Sequence, residues 1–259
     1  MPPRRATAAL FLSALFASLP LHAATALSCT PLEAIPAAVA DAPFLVLGDV
    51  HGTREVPAFV AAYLCAGAKR QRSTTLAIEL PSSAQDALDA FLASQGTPQD
   101  VERLLGGGLW RSPRQDGRTS IDMLRLIQQV RTLRAQGADI RITAIDTVTA
   151  TPQRSAAMAE HLRAELRQGT GRQLVALVGA PHAIRSKGNR FNPHYESAIY
   201  LLADQRPLSL TVGTAGGTAW DINRVDPAPA GPFSLVPPSP QFDGVFYVGA
   251  TSASPPAVQ

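Results

Sequence analysis

The chain has 259 residues, 46% of them hydrophobic and 17% charged, with a formal net charge of +3 and two cysteines. This length and apolar content fit one globular domain with a generous core and exclude a disordered chain. So small a net charge gives no electrostatic case for binding nucleic acid.

Arg4 and Arg5 precede an apolar run from Ala8 to Leu19 that is too short to span a bilayer, and Ala24-Thr25-Ala26 follows as a small-x-small cleavage site. Residues 1–26 therefore read as a secretory signal, with cleavage after Ala23 as the lesser option, and the mature chain as periplasmic or secreted. Without the two arginines the formal charge falls from +3 to +1. In an oxidising compartment Cys29 and Cys65 are expected to form one disulfide. Ala26-Leu27-Ser28-Cys29 also loosely resembles a lipoprotein box, which would make Cys29 a lipid anchor. Pairing is favoured because a branched apolar residue is expected where Ala26 stands, and because Cys65 would otherwise be left alone.

Residues 27–250 read as a single domain. Phe44 to Leu47 is a short buried strand, and Gly48-Asp49-Val50-His51-Gly52 forms a tight turn at its end that lifts Asp49 and His51 off the sheet. The spacing of Val56, Phe59, Val60, Tyr63 and Leu64 predicts a helix over 55–70. Thr74 to Ile78 is a second strand, ending in Glu79, whose carboxylate is costly at a buried strand end unless it has a partner. Helices are predicted over 83–94 and from Thr97-Pro98, where a cap, a proline and Asp100 open the first turn. Residues 97–136 form an excursion from the strand–helix alternation. Its glycine-rich, basic stretch 106–118, with Trp110 and Arg118, has the composition of a loop covering a site.

A strong amphipathic helix is predicted over 120–136, and a third strand over 140–145 ends in Asp146. Thr151-Pro152 opens the next helix, which carries Arg154 in its first turn. A cation gains nothing from the macrodipole there, so the guanidinium is expected to face a carboxylate or an anionic ligand. Leu174 to Val178 is the fourth strand, and Gly179-Ala180-Pro181-His182 repeats the strand, glycine, two residues, histidine pattern of the first. A loop with Arg185, Lys187, Arg190 and His194 follows, then a short helix over 196–203 and a fifth strand over 208–212. Recurrent prolines after Asp226 predict an irregular wrap, with a last edge strand over 243–248 and a loose tail over 251–259.

Strands alternating with helices specify an α/β fold, a mostly parallel sheet covered on both faces, whose ligands bind beyond the carboxyl ends of the strands. Asp49, His51, Glu79, Asp146 and His182 all fall at such ends. Two chemistries stay open. His51, Glu79 and His182 could ligate a divalent metal and leave a position for a nucleophilic water. Without metal, one histidine oriented by a carboxylate could draw the proton from water attacking an ester or amide, while Arg154 steadies the developing charge. No His-Glu-x-x-His, Gly-x-Ser-x-Gly or Walker segment is present.

Gly48-Asp49-Val50-His51, Glu79, Arg154-Ser155-Ala156-Ala157-Met158-Ala159 and Gly179-Ala180-Pro181-His182, taken in order, resemble the superfamily of erythromycin esterases, Tiki and TraB proteins, and ChaN-like haem-binding lipoproteins. The match covers roughly residues 43–212. It implies an α/β fold with paired Gly-x-x-His motifs, a glutamate and an arginine at the site. The esterases imply a histidine base, Tiki-like members a metal-dependent peptidase, and ChaN-like members haem. Asp49 stands where the esterases usually carry glutamate, and Ser155 follows Arg154 where ChaN-like helices commonly carry aspartate. The expectation is an exported ester or amide hydrolase acting on a small molecule or peptide. The rival is a haem or iron carrier, ligated by His, Tyr or Met with Tyr195 and Tyr200 available and Trp110 shielding the ligand.

Overall fold

The computed structural model describes residues 1, 27–113, 115–147, 153–169, 171–227 and 233–258. The expected secretory signal and the helix-opening Thr151-Pro152 lie outside these. In order the chain forms α1 (Ala37–Ala40), β1 (Phe44–Asp49), α2 (Glu55–Lys69), β2 (Thr74–Pro81), α3 (Gln85–Ala93), α4 (Pro98–Leu105), α5 (Ile121–Ala135), β3 (Ile140–Asp146), α6 (Gln153–Gln168), β4 (Gln173–Gly179), α7 (Ala180–Ala183), β5 (Leu208–Gly213), β6 (Gly217–Ala219), β7 (Ile222–Val225), β8 (Phe233–Ser234) and β9 (Gly244–Tyr247).

Seven strands form one sheet in the order β3-β2-β4-β1-β5-β9-β8, and every pairing but β8 with β9 is parallel. The parallel strands are buried on both faces, which is why they read as unbroken apolar runs. Leu45, Leu47, Leu76, Ile78, Val175 and Leu177 pack toward α2, α3 and α5. The alternating set, Phe44, Val46, Ala77, Ala176 and Val178, packs toward Met158, Ala159 and Leu162 of α6. The period-2 reversal of side chains thus divides one sheet between two cores.

Local chemistry sets the helix starts. Thr97 and Asp100 form a reciprocal capping box with Pro98 at the first turn of α4. Ser120 accepts from Met123 N to start α5. Three expectations need correction. The helix expected over 196–203 is a 3-10 turn at Tyr200–Gln205, because the Ser197 hydroxyl donates to Ile184 O and accepts from Tyr200 N, holding the segment before it in a bend. The strand over 243–248 is internal rather than an edge, since β8 pairs on its outer side. The tail is not loose: Thr251 and Ser254 are buried, Ser254 N donates to Gly52 O at 2.7 Å, and Ser254 Oγ donates to Asp122 at 2.7 Å.

Cys29 and Cys65 form a disulfide across a sequence separation of 36, which leaves neither sulfur free for a lipid. Closing a loop of that length restricts the unfolded chain by about 3 to 4 kcal/mol. The variant Cys29→Ser/Cys65→Ser is expected to lose about that much unfolding free energy in urea titration; an unchanged midpoint would refute a stabilising role.

Candidate active site

The sheet order explains why distant residues meet. β3, β2, β4 and β1 are consecutive neighbours at about 4.8 Å spacing, and their carboxyl ends carry Asp146, Glu79, Gly179 and Asp49 in that spatial order. Asp49 lies directly across from Gly179. The β2–β3 register shifts between Ile78 and Pro81, and such an irregularity re-aims a side chain at a sheet rim; Glu79 sits inside it. Two further groups come from outside the sheet. Arg154 reaches in from the first turn of α6, and Arg118 from the loop between α4 and α5.

Glu79 is buried at 5% exposure and stands at the centre. Its Oε2 accepts from Gly179 N at 2.7 Å and lies 3.3 Å from His51 Nε2. Its Oε1 accepts from Arg154 Nη2 and lies 3.7 Å from His182 Nε2 and 3.8 Å from Arg118 Nη1. Asp146 accepts from Arg154 Nε at 2.7 Å and Nη2 at 2.8 Å, and also from Arg118 Nη1. Asp116 holds Arg118 from the other side, at 2.9 Å and 3.0 Å from its Nε. His51 Nδ1 lies 3.0 Å from Asp49 Oδ2, while Asp49 Oδ1 is buried with no hydrogen-bond partner among the described residues. A Cβ at Gly179 would fall 3.0 Å from His51 Nε2 and 3.4 Å from Glu79 Oε2. Only a glycine leaves the two side chains room to meet.

The two histidines differ in protonation. Burial works against charge on His51, but Asp49 and Glu79 on its two ring nitrogens outweigh it and raise its pKa from 6.5 to about 10. Burial also dominates at His182, and there it prevails, lowering the pKa against the pull of Glu79. Burial pushes Glu79 upward, yet His51, the charge of His182 and the Gly179 N–H hold it well below the usual carboxylate range. His182 Nδ1 faces two hydroxyls, Ser155 Oγ at 3.5 Å and Tyr195 Oη at 3.4 Å, which lie 3.4 Å from each other.

The structure thus brings His51, Glu79, Arg154, His182, Asp49, Asp146 and Arg118 together. Trp110 is elsewhere: it is 2% exposed within the core of α3, α4 and α5, so it offers no face to a flat ligand. Tyr200 lies in the 3-10 turn, and Tyr195 Oη is directed at His182 and Ser155. The donor set does not fit a divalent metal. Both oxygens of Glu79 are engaged by N–H groups, and two guanidinium groups stand where the ion's charge would have to be tolerated. Among the described residues no group of three or more His, Cys, Asp or Glu is arranged to hold a metal ion. Sequence reasoning missed Asp116 and the Ser155–Tyr195 pair as site components. Ser155 carried a signal, since it adjoins Arg154; Asp116 and Tyr195 sit in no motif.

No protein-family model and no curated protein matches the chain. Solved structures do. A succinoglycan biosynthesis protein superposes with a TM-score of 0.58 at 11% identity, covering 83% of this chain and 90% of that one. A mutant of erythromycin esterase EreC in its open conformation gives 0.54 at 10% identity, covering 84% and 77%. The type III effector HopBA1 gives 0.51 at 14% identity, covering 83% and 91%. The expected likeness to erythromycin esterases therefore holds for the fold.

Raising the pKa of His51 on folding stabilises the protonated native state. That contribution is fully present below 6.5 and disappears as pH climbs through about 10. The urea midpoint is expected to fall between those pH values, and His51→Gln to flatten the fall. An equal slope in both proteins would contradict the double clamp on His51.

Proposed function

We propose that this chain is an exported ester or amide hydrolase that uses its two histidines as an acid and a base, without a metal. The observation that carries the reading is the convergence of His51 Nε2 and His182 Nε2 on one carboxylate, at 3.3 Å and 3.7 Å, with one ring clamped by two acids and the other bordered by hydroxyls. Environments that push two titratable groups apart separate the acid from the base. The shared fold of an esterase is consistent with it.

His182 is the neutral partner. With its Nδ1–H donated to Ser155 Oγ or Tyr195 Oη, its Nε2 lone pair faces the site and accepts a proton from the attacking water. The water oxygen bonds to the substrate carbonyl carbon, whose oxygen takes up the negative charge beside Arg154 and Arg118. His51 then gives its Nε2 proton to the leaving oxygen or nitrogen as the carbonyl re-forms and the ester or amide bond breaks. Asp49 keeps the His51 ring aimed, and Glu79 stabilises the imidazolium until it is spent. The products are an acid and an alcohol or amine. The cycle closes when the proton held by His182 is returned to His51 through solvent.

Export is supported by the basic and apolar opening of the chain and by the disulfide, which fits an oxidising compartment. No helix among the described residues is long and apolar enough to cross a membrane.

In a panel of ester and peptide substrates, His51→Ala is expected to lower turnover by roughly 100-fold or more. The wild-type rate should hold a plateau between an acid limb below 6.5, where His182 takes up a proton, and an alkaline limb near 10, where His51 loses one. Asp49→Asn should move the alkaline limb downward and leave the acid limb in place. Unchanged rates in His51→Ala, or a profile rising steadily to pH 10, would sink the assignment.

A further inference from the structure

His51 is followed by Gly52, and this residue is where the rest of the chain closes on the site. Gly52 O accepts from Trp220 N at 2.9 Å and from Ser254 N at 2.7 Å, tying the β6–β7 ribbon and the C-terminal tail to the catalytic turn. Gly52 has φ +75°, and a Cβ there would fall 2.4 Å from Trp220 Cβ. No side chain can come between the His51 turn and Trp220. The indole is pinned in turn: Trp220 Nε1 donates to Gln115 O at 3.3 Å, and the Gln115 amide donates to Trp110 O and Ser112 O at 3.1 Å and 2.8 Å.

Beside this contact lies a cleft of about 510 Å³, walled by Trp220, Pro113, Pro256 and Val258, with Gln115 and Arg111 among its polar borders. Its size is that of a site for a drug-sized ligand, and its walls are an indole and two proline rings with no carboxylate among them. Such walls favour a ring over a flexible chain, because flat and saturated rings bury apolar area against them without losing rotamer freedom. Absence of an acidic group on the walls gives a cationic ligand nothing to pair with.

We infer that this cleft is the subsite for an uncharged, ring-bearing group of the substrate, so that the substrate class is a carboxylic ester or amide with an alicyclic or aromatic ring on one side of the carbonyl. The inference rests on the hydrolase reading and deepens it. Trp220 determines specificity by holding that ring next to the His51 turn. The C-terminal tail is the second wall of the binding site, which gives its packing against Gly52 a role in recognition.

Two measurements on the full chain separate this inference from the reading it rests on. Steady-state hydrolysis of cyclohexyl acetate and methyl acetate should give a KM at least roughly tenfold lower for the cyclic ester. Trp220→Ala and Pro113→Asp should shrink that difference, Pro113 being an exposed position where a charge is tolerated by the fold, while Ile222→Ala on the outer face of the ribbon should keep it. Binding of N-cyclohexylacetamide, followed by the fluorescence of Trp220, should saturate in the wild type and weaken at least roughly tenfold in Pro113→Asp. Binding without turnover of either ester overturns the hydrolase reading alone. Turnover of both esters with equal KM and no saturable fluorescence change overturns the subsite alone. Neither turnover nor binding overturns both.

Discussion

A carboxylate with 5% exposure at the end of a central strand is the constraint on which the site depends. Taken from water alone, Glu79 would cost several kcal/mol and take up a proton. It does neither because every side of it is met: Gly179 N–H, His51 and Arg154 touch it, with Arg118 and His182 just beyond. Each partner belongs to a different segment, so one buried charge dictates the relative placement of β1, β2, β4, α6 and the loop after α4. Asp146 extends the logic by holding both guanidinium groups at once. A cluster in which acids and cations alternate in this way is rigid, since moving one member uncovers the charge of the next.

Parallel topology makes such a cluster possible. In the order β3-β2-β4-β1 all four carboxyl ends point the same way, so residues spread from Asp49 to His182 in sequence become neighbours. An antiparallel arrangement of the same strands would send half of them to the opposite rim. The register shift in β2 then supplies the local correction that turns Glu79 into the cluster rather than across the sheet.

Much of this was legible from residues alone. Apolar runs such as Leu174 to Val178 identify strands buried on both faces, the two Gly-x-x-His turns identify the rim, and an arginine at a helix start asks for an anion. What was not legible depends on contacts far apart in the chain. Trp110 reads as a lid residue because its neighbours are glycine and arginine, but α4 turns it into the core. The tail reads as loose because it is short and proline-rich; Gly52 and Asp122, more than 130 residues earlier, hold it. The hairpin of β6 and β7 is two short strands with mostly exposed residues, too weakly patterned to stand out. Tyr195 reached His182 through a loop whose path no periodicity describes.

The opposite protonation of the two histidines has a local origin. His51 stands two residues after Asp49, and in a tight turn that spacing lets the carboxylate fold back onto Nδ1. His182 has Pro181 and Ala183 beside it and a short helical turn beneath, so no acid of its own segment can reach the ring. The only carboxylate near it is Glu79 among the described residues, and that one is already committed to Arg154 and Gly179. Two copies of one strand-turn motif therefore acquire different chemistry from the residue that follows the glycine. Aspartate in the first makes an imidazolium. Alanine in the second leaves burial to decide, and burial favours the neutral ring.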